Sequence, residues 1–329
     1  MLTDRFHRSI DYLRLSVTDR CNLRCVYCLP EALPRFAPSQ DQLTDTEIVE
    51  LIACFAAAGV SKLRITGGEP LVRPGLPGLI SSLARTPGID DISLSTNGVL
   101  LAPLLSELKA AGLKRVNVSL DSLKPERFSR IARFGKLDSV LDGIAAALAA
   151  GLEPVKINVV VARGMNEDEL ADFAKWTDDE AVHVRFIELM PMGETGFFTA
   201  ERRVPLNEMM QRCGPMEALP RQDWPVGHGP ARYFRRPGAR GTLGFISALS
   251  CGFCSSCNRV RLSSQGKLIA CLDAEDGVDL RTPLRRGAGR GEIAALTQSA
   301  ISKKPESHDM NRRLAASTAG SRTMCQIGG

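Results

Sequence analysis

Short apolar, β-branched runs alternate along the first two-thirds of the chain with longer amphipathic runs. The apolar runs are LRLSV (13–17), KLRIT (62–66), ISLST (92–96), RVNVSL (115–120), VKINVVV (155–161) and HVRFIEL (183–189). Their length and residue types predict six strands. The intervening stretches 44–58, 101–111, 139–150 and 166–177 carry helical periodicity. Thr44 and Glu47 have capping-box spacing, and Asn166 opens an acidic first turn. Gly59, Gly112 and Gly151 stand just past helix-like runs, where C-terminal caps belong.

Strands alternating with helices predict an α/β fold with a parallel sheet. The polar residues favour a barrel over an open doubly wound sheet. They gather at the C-terminal ends of successive strands, as DRC, GGEP, STNG, SLDS and RFIELM, the face where barrel enzymes build their sites. Six strands leave such a barrel incomplete. The expectation is therefore an incomplete (β/α)6 barrel over 1–195, followed by a smaller C-terminal region over 196–329. In that second region, 214–245 reads as loops and short strands, and 281–291 as a basic, solvated loop.

Composition narrows the function classes. The chain has 329 residues, 44% hydrophobic and 24% charged, with a formal net charge of +5. No dense basic run with interleaved aromatics points to nucleic acid. No apolar stretch approaches the roughly 18 residues of a membrane span, and the charged N-terminus lacks a signal-peptide core. A cytoplasmic, reducing setting is expected, in which the ten cysteines mean metal or redox chemistry rather than disulfides.

Those cysteines form two groups. Cys21, Cys25 and Cys28 are spaced C-x3-C-x2-C. Zinc ordinarily takes a fourth ligand and a different spacing. Three thiolates on one loop suit a [4Fe–4S] cluster with one iron left open. Cys254, Cys257 and Cys271 are spaced C-x2-C-x13-C. A zinc knuckle completed by Cys251 and a second open-iron cluster are both compatible with that pattern. Cys54 and Cys213 read as buried thiols, and no pattern joins His7, His183, His228 and His308.

The first triad, with Tyr27 before its last cysteine and Gly67-Gly68-Glu69-Pro70 after the second strand, resembles the radical S-adenosylmethionine (SAM) enzymes. The whole set RLSVTDRCNLRCVYC, RITGGEPLVR, NVSLDS, VKIN, RFIELM, FCSSCNRVRL-x9-C and a terminal Gly328-Gly329 is similar to the GTP 3′,8-cyclase family of molybdenum-cofactor biosynthesis, from about residue 3 to the end.

The resemblance implies two [4Fe–4S] clusters, on Cys21, Cys25 and Cys28 and on Cys254, Cys257 and Cys271. It implies SAM contacts from Tyr27, Gly68, Ser119 and Met190. It implies GTP contacts from Arg14, Arg64, Ser95, Lys156, Arg259, Val260 and Arg261. In such enzymes a 5′-deoxyadenosyl radical takes the ribose 3′ hydrogen, and C3′ attacks guanine C8. The second cluster holds the purine, and the terminal glycines thread into the site. Implied partners are GTP, an electron donor and a downstream cyclic pyranopterin phosphate synthase, with the chain a monomer or homodimer. Two departures stand out. Ser95 replaces the usual threonine, and Asp273 replaces an aromatic two residues after the last cluster cysteine.

Overall fold

A computed structural model of the chain describes residues 1–30, 36–193, 195–316, 318–320 and 324–328. The six strands lie where the apolar runs placed them: β1 Tyr12–Ser16, β2 Lys62–Thr66, β3 Asp91–Thr96, β4 Arg115–Ser119, β5 Lys156–Val161 and β6 His183–Glu188. Helix α1, Asp45–Ala57, is started by the expected capping box, with the Thr44 side chain accepting from Glu47 N and the Glu47 carboxylate accepting from Thr44 N. Gly59, Gly112 and Gly151 all take positive φ past their helices. Asn166 does not cap through its side chain. Its amide instead donates to the Asp121 and Val160 carbonyls, tying the loop after β4 to strand β5.

Two helices had no strong sequence signal: α2 Leu76–Ala84, and, after α3 Leu101–Ala110, α4 Pro125–Ala132. Both are short, and each has proline in its first turn, which reads equally as a turn. Helices α5 Leu137–Ala149 and α6 Leu170–Asp179 complete the alternation.

The second region extends the same sheet at both edges. Its strands are β7 Glu217–Ala218, β8 Arg232–Arg235, β9 Thr242–Ile246, β10 Arg259–Leu262, β11 Lys267–Ile269 and β12 Val278–Asp279. The order is β12-β11-β10-β1-β2-β3-β4-β5-β6-β9-β8-β7. β10 pairs parallel to β1, and β9 parallel to β6. Among the described residues, no pairing joins the two ends, so the barrel stays open.

The segment 281–291 corrects the expectation of a loop. Helix Arg281–Arg285 and the start of helix Arg290–Ser302 occupy most of it. Arg281 bonds Asp41, and Arg285 pairs with Glu47 at 2.6 Å, so these cations fasten the second region to the first turn of α1 and to the short helical turn Ser39–Asp41 before it.

Strand alternation divides the barrel wall. Leu13, Leu15, Leu63, Ile65, Val116, Val118, Ile157 and Val159 belong to the apolar core. The intervening Tyr12, Arg14, Lys62, Arg64, Ser93, Ser95, Arg115, Asn117, Lys156 and Asn158 lie on the other face. The interior is thus a polar, basic lumen.

Candidate functional site: a basic lumen between two cysteine triads

The lumen's charge follows from register. Arg14 sits opposite Arg64 on one side and Arg261 on the other, so three guanidiniums stand abreast on adjacent strands. Lys156 and Arg185 stand further round, opposite Asn117 and Asn158. Arg64 Nε donates to the Tyr12 hydroxyl at 2.5 Å. Among the described residues, the buried atoms Arg64 Nη1, Arg115 Nη1 and Arg185 Nε find no hydrogen-bond partner. Buried donors are ordinarily satisfied, so this lumen suits an anionic guest that supplies acceptors.

Burial, with the neighbouring cations Arg185, Arg64 and Arg115, holds the Lys156 ammonium down to about 5. Burial and Arg259 bring Arg261 to about 10. Sequence reasoning missed Arg115, which shares the parity of Ser119 on β4, and Arg185 on β6, a strand on which no site residue had been singled out. Val260 is different: its side chain packs in the apolar core, opposite in parity to Arg259 and Arg261, and any lumen contact must come from its backbone.

The two triads lie at opposite ends. Cys21, Cys25 and Cys28 follow the C-terminal end of β1. Cys254 and Cys257 precede β10, which is parallel to β1, and Cys271 follows β11, which runs back antiparallel. The second triad is therefore at the N-terminal end of the barrel strands. Lys304 Nζ ties it together, donating to Arg259 O at 2.8 Å and Ala270 O at 2.5 Å.

At the first end, close backbone contact explains the GGEP glycines. Gly68 N donates to Thr18 O and Glu69 N to Arg20 O. A Cβ on Gly68 would lie 2.4 Å from Arg20 O. The close approach these glycines permit is to the chain entering the cysteine loop. The buried Glu69 carboxylate accepts from Leu71 N, Thr96 Oγ1 and Asn97 N at 3.0, 2.7 and 2.6 Å. Burial outweighs those bonds and lifts its pKa to about 7. Asn97 in turn reaches the Cys21 sulfur at 3.9 Å.

Tyr27 donates to Asp121 Oδ2 at 2.6 Å and lines an apolar hollow with Met190, Met192, Phe197 and Met324. Ser119 is exposed at the end of β4, on the same rim. Glu188, which ends β6, accepts from Leu249 N, Ser250 N and Arg203 Nε, a contact that braces the second region.

Among the described residues, no three Cys, His, Asp or Glu side chains converge as on a single metal ion. A cubane cluster spreads its thiolates over a wider triangle. The donor chemistry fits one at both ends. Burial and mutual repulsion with Cys28, Asp121 and Cys21 hold the Cys25 thiol protonated, and bound iron would reverse that preference. At the other end burial raises Cys257, but Arg259 and Lys304 outweigh it and bring the thiol to about 7, favouring the ligating thiolate.

The C-terminal turn Met324–Ile327 enters this lumen. Gly328 O accepts from Arg14 Nη2 at 3.3 Å, Arg261 Nη1 at 3.1 Å and Thr66 Oγ1 at 3.1 Å. Gly328 has φ +75°, and a Cβ there would meet Thr66 Cγ2 at 2.9 Å, so glycine is required twice over. Gly329 lies outside the described residues. Asp273 is also explained: it pairs with Arg313 at 2.5 Å and accepts from Asp309 N at 2.7 Å, anchoring the segment that leads to the tail.

A parallel barrel with a cysteine triad beyond its first strand defines a class. Residues 15–177 match the Radical SAM superfamily, and residues 182–310 match Molybdenum Cofactor Synthesis C. The fold resembles Streptococcus suis SuiB, with a TM-score of 0.56 at 13% identity over 97% of this chain and 78% of that one. The GTP 3′,8-cyclase of Heliobacterium modesticaldum is 50% identical over 94% of this chain and 95% of its own. That of Pelotomaculum thermopropionicum is 48% identical over the whole of both. The chain therefore belongs to the GTP 3′,8-cyclase family of radical SAM enzymes, and membership implies a [4Fe–4S] cluster and SAM. Among the described residues no helix is long and apolar enough to cross a membrane.

Proposed function

We propose that the chain converts GTP to (8S)-3′,8-cyclo-7,8-dihydroguanosine 5′-triphosphate, with 5′-deoxyadenosine and methionine as co-products, in molybdenum-cofactor biosynthesis. The observation that carries this reading is the basic lumen bounded at opposite ends by the two triads. Cys21, Cys25 and Cys28 hold the cluster that meets SAM, with Tyr27, Gly68, Ser119 and Met190 around it. Cys254, Cys257 and Cys271 hold a second cluster, with the purine against it. Arg14, Arg64, Ser95, Lys156, Arg259, the Val260 backbone and Arg261 hold the nucleotide, and Arg185 adds a further cation.

Bound at the first end, a reduced cluster and SAM would supply the 5′-deoxyadenosyl radical needed to take the ribose 3′ hydrogen so that C3′ can join guanine C8. The chain's own task is position. A primary carbon radical reacts with the nearest hydrogen, so the ribose must lie between radical source and anchored base. The guanidiniums grip the triphosphate's roughly four negative charges with charge-assisted bonds. Residues 1–195 thus carry the radical chemistry and 196–329 the base anchor. An electron donor feeds the first cluster, and a cyclic pyranopterin phosphate synthase takes the product.

Iron and sulfide counts on anaerobically reconstituted protein test the assignment. The wild type should hold two [4Fe–4S] clusters. Cys25→Ala and Cys271→Ala should each lose one, and only the Cys271 variant should still release 5′-deoxyadenosine with dithionite. Zinc in place of iron at the second triad, or normal cyclisation by Cys271→Ala, would overturn it.

A further inference from the structure

A fourth cysteine lies beside the triad at the first end of the lumen. Cys325 is 4% exposed on the turn Met324–Ile327. Its backbone N–H donates to the Cys28 sulfur, and its thiol is near enough to Cys21 and Cys28 for the groups to repel one another when ionised. The turn is held firmly there. Ile327 is buried among Met192, Leu249 and Ile269, Arg261 donates to the Ile327 carbonyl at 3.2 Å, and Gly328 is gripped as described. Met324 lines the same hollow as Tyr27 and Met190. Packing alone would be served by alanine or serine at 325. A thiol beside three others adds a soft ligand where a three-thiolate cluster leaves an iron open.

We infer that Cys325 is a displaceable fourth thiolate ligand of the first cluster, occupying its open iron until SAM arrives. The inference rests on the reading of Cys21, Cys25 and Cys28 as cluster ligands. Ligation forms one Fe–S bond and releases the thiol proton to solvent, and no electron moves. When the SAM amino and carboxylate groups take that iron, the Fe–S bond breaks and the thiolate regains a proton. The same short segment holds Gly328 against Arg14 and Arg261, so displacement of Cys325 by SAM also loosens the tail's hold on the nucleotide cations. An internal ligand of this kind lowers apparent SAM affinity by the fraction of molecules in which it is bound.

The test compares wild type, Cys325→Ala and Cys325→Ser as anaerobically reconstituted full-length holoenzymes. The serine variant keeps the side chain's size if alanine disturbs the tail. Equilibrium dialysis with labelled SAM should give both variants several-fold tighter binding at unchanged iron content. Brief ferricyanide treatment without SAM should convert the first cluster of the variants to the [3Fe–4S] form, read by EPR, several-fold faster than in wild type. Added SAM should abolish that difference. Equal SAM affinity and equal conversion rates would overturn the inference. Full iron and sulfide in Cys25→Ala would instead show that the triad reading has failed, and the inference with it.

Discussion

GTP binding should draw a proton onto Lys156. In the free protein its ammonium is depressed to about 5 by burial and by Arg185, Arg64 and Arg115. At pH 8 the side chain is three units above that value, and about 0.1% of it is charged. Charging it there costs about 4 kcal/mol at about 1.36 kcal/mol per unit. A triphosphate within contact distance reverses the balance, because its charges favour the ammonium over the amine. If the bound-state pKa rises above 8, binding takes up about one proton, and affinity falls about tenfold per pH unit between the free and bound values. The sign is uptake, because the complex holds the protonated form.

Isothermal titration at pH 8, in three buffers of different ionisation enthalpy, reads the proton count as a slope. At that pH the terminal phosphate, with a second ionisation near 6, contributes little. His183, held at about 3 by burial and by Lys156 and Arg185, is a second acceptor, so Lys156→Gln is the control. The amide retains a donor for the Val226 carbonyl, which accepts from Lys156 Nζ at 2.7 Å. The variant should take up about one proton fewer. Equal slopes in the two proteins would refute the placement of Lys156 against the phosphates.

Other outcomes follow from the same geometry. Gly68→Ala forces its Cβ to within 2.4 Å of Arg20 O, so urea unfolding should show a loss of roughly 1–3 kcal/mol together with reduced iron at the first triad; an unchanged midpoint would contradict the close approach. Gly328→Ala, strained by its positive φ and by Thr66, should leave the urea midpoint unchanged while product yield falls; full yield would contradict a role for the tail. Thr44→Ala should cost about 1 kcal/mol by removing the cap on α1, measured by urea unfolding, with cluster content unaffected.

The barrel strands were legible because each is a short β-branched run ending in polar residues. The edge strands were not. β9 and β10 lie in Gly- and Arg-rich sequence, and their register with β6 and β1 is a long-range fact that no local pattern carries. The first cysteine triad was legible from its spacing, whereas the spacing of the second left zinc and a cluster both open. The abreast arrangement of Arg14, Arg64 and Arg261 was not, because it depends on strand pairing. Arg185 escaped notice inside HVRFIE, although it has the parity of His183 and Ile187. Asp273 looked like a lost aromatic in sequence, and only its pairing with Arg313 gives it a structural task. The helical turn at 281–285 looked like a basic loop because its acidic partners, Asp41 and Glu47, are some 240 residues away in sequence.

The most direct test of the account is the fate of the ribose 3′ hydrogen. The holoenzyme, incubated anaerobically with SAM, dithionite and GTP carrying deuterium at C3′, should yield singly deuterated 5′-deoxyadenosine in step with the 3′,8-cyclised nucleotide. Unlabelled 5′-deoxyadenosine formed alongside cyclised product, or cleavage of SAM with no cyclised nucleotide, would contradict it.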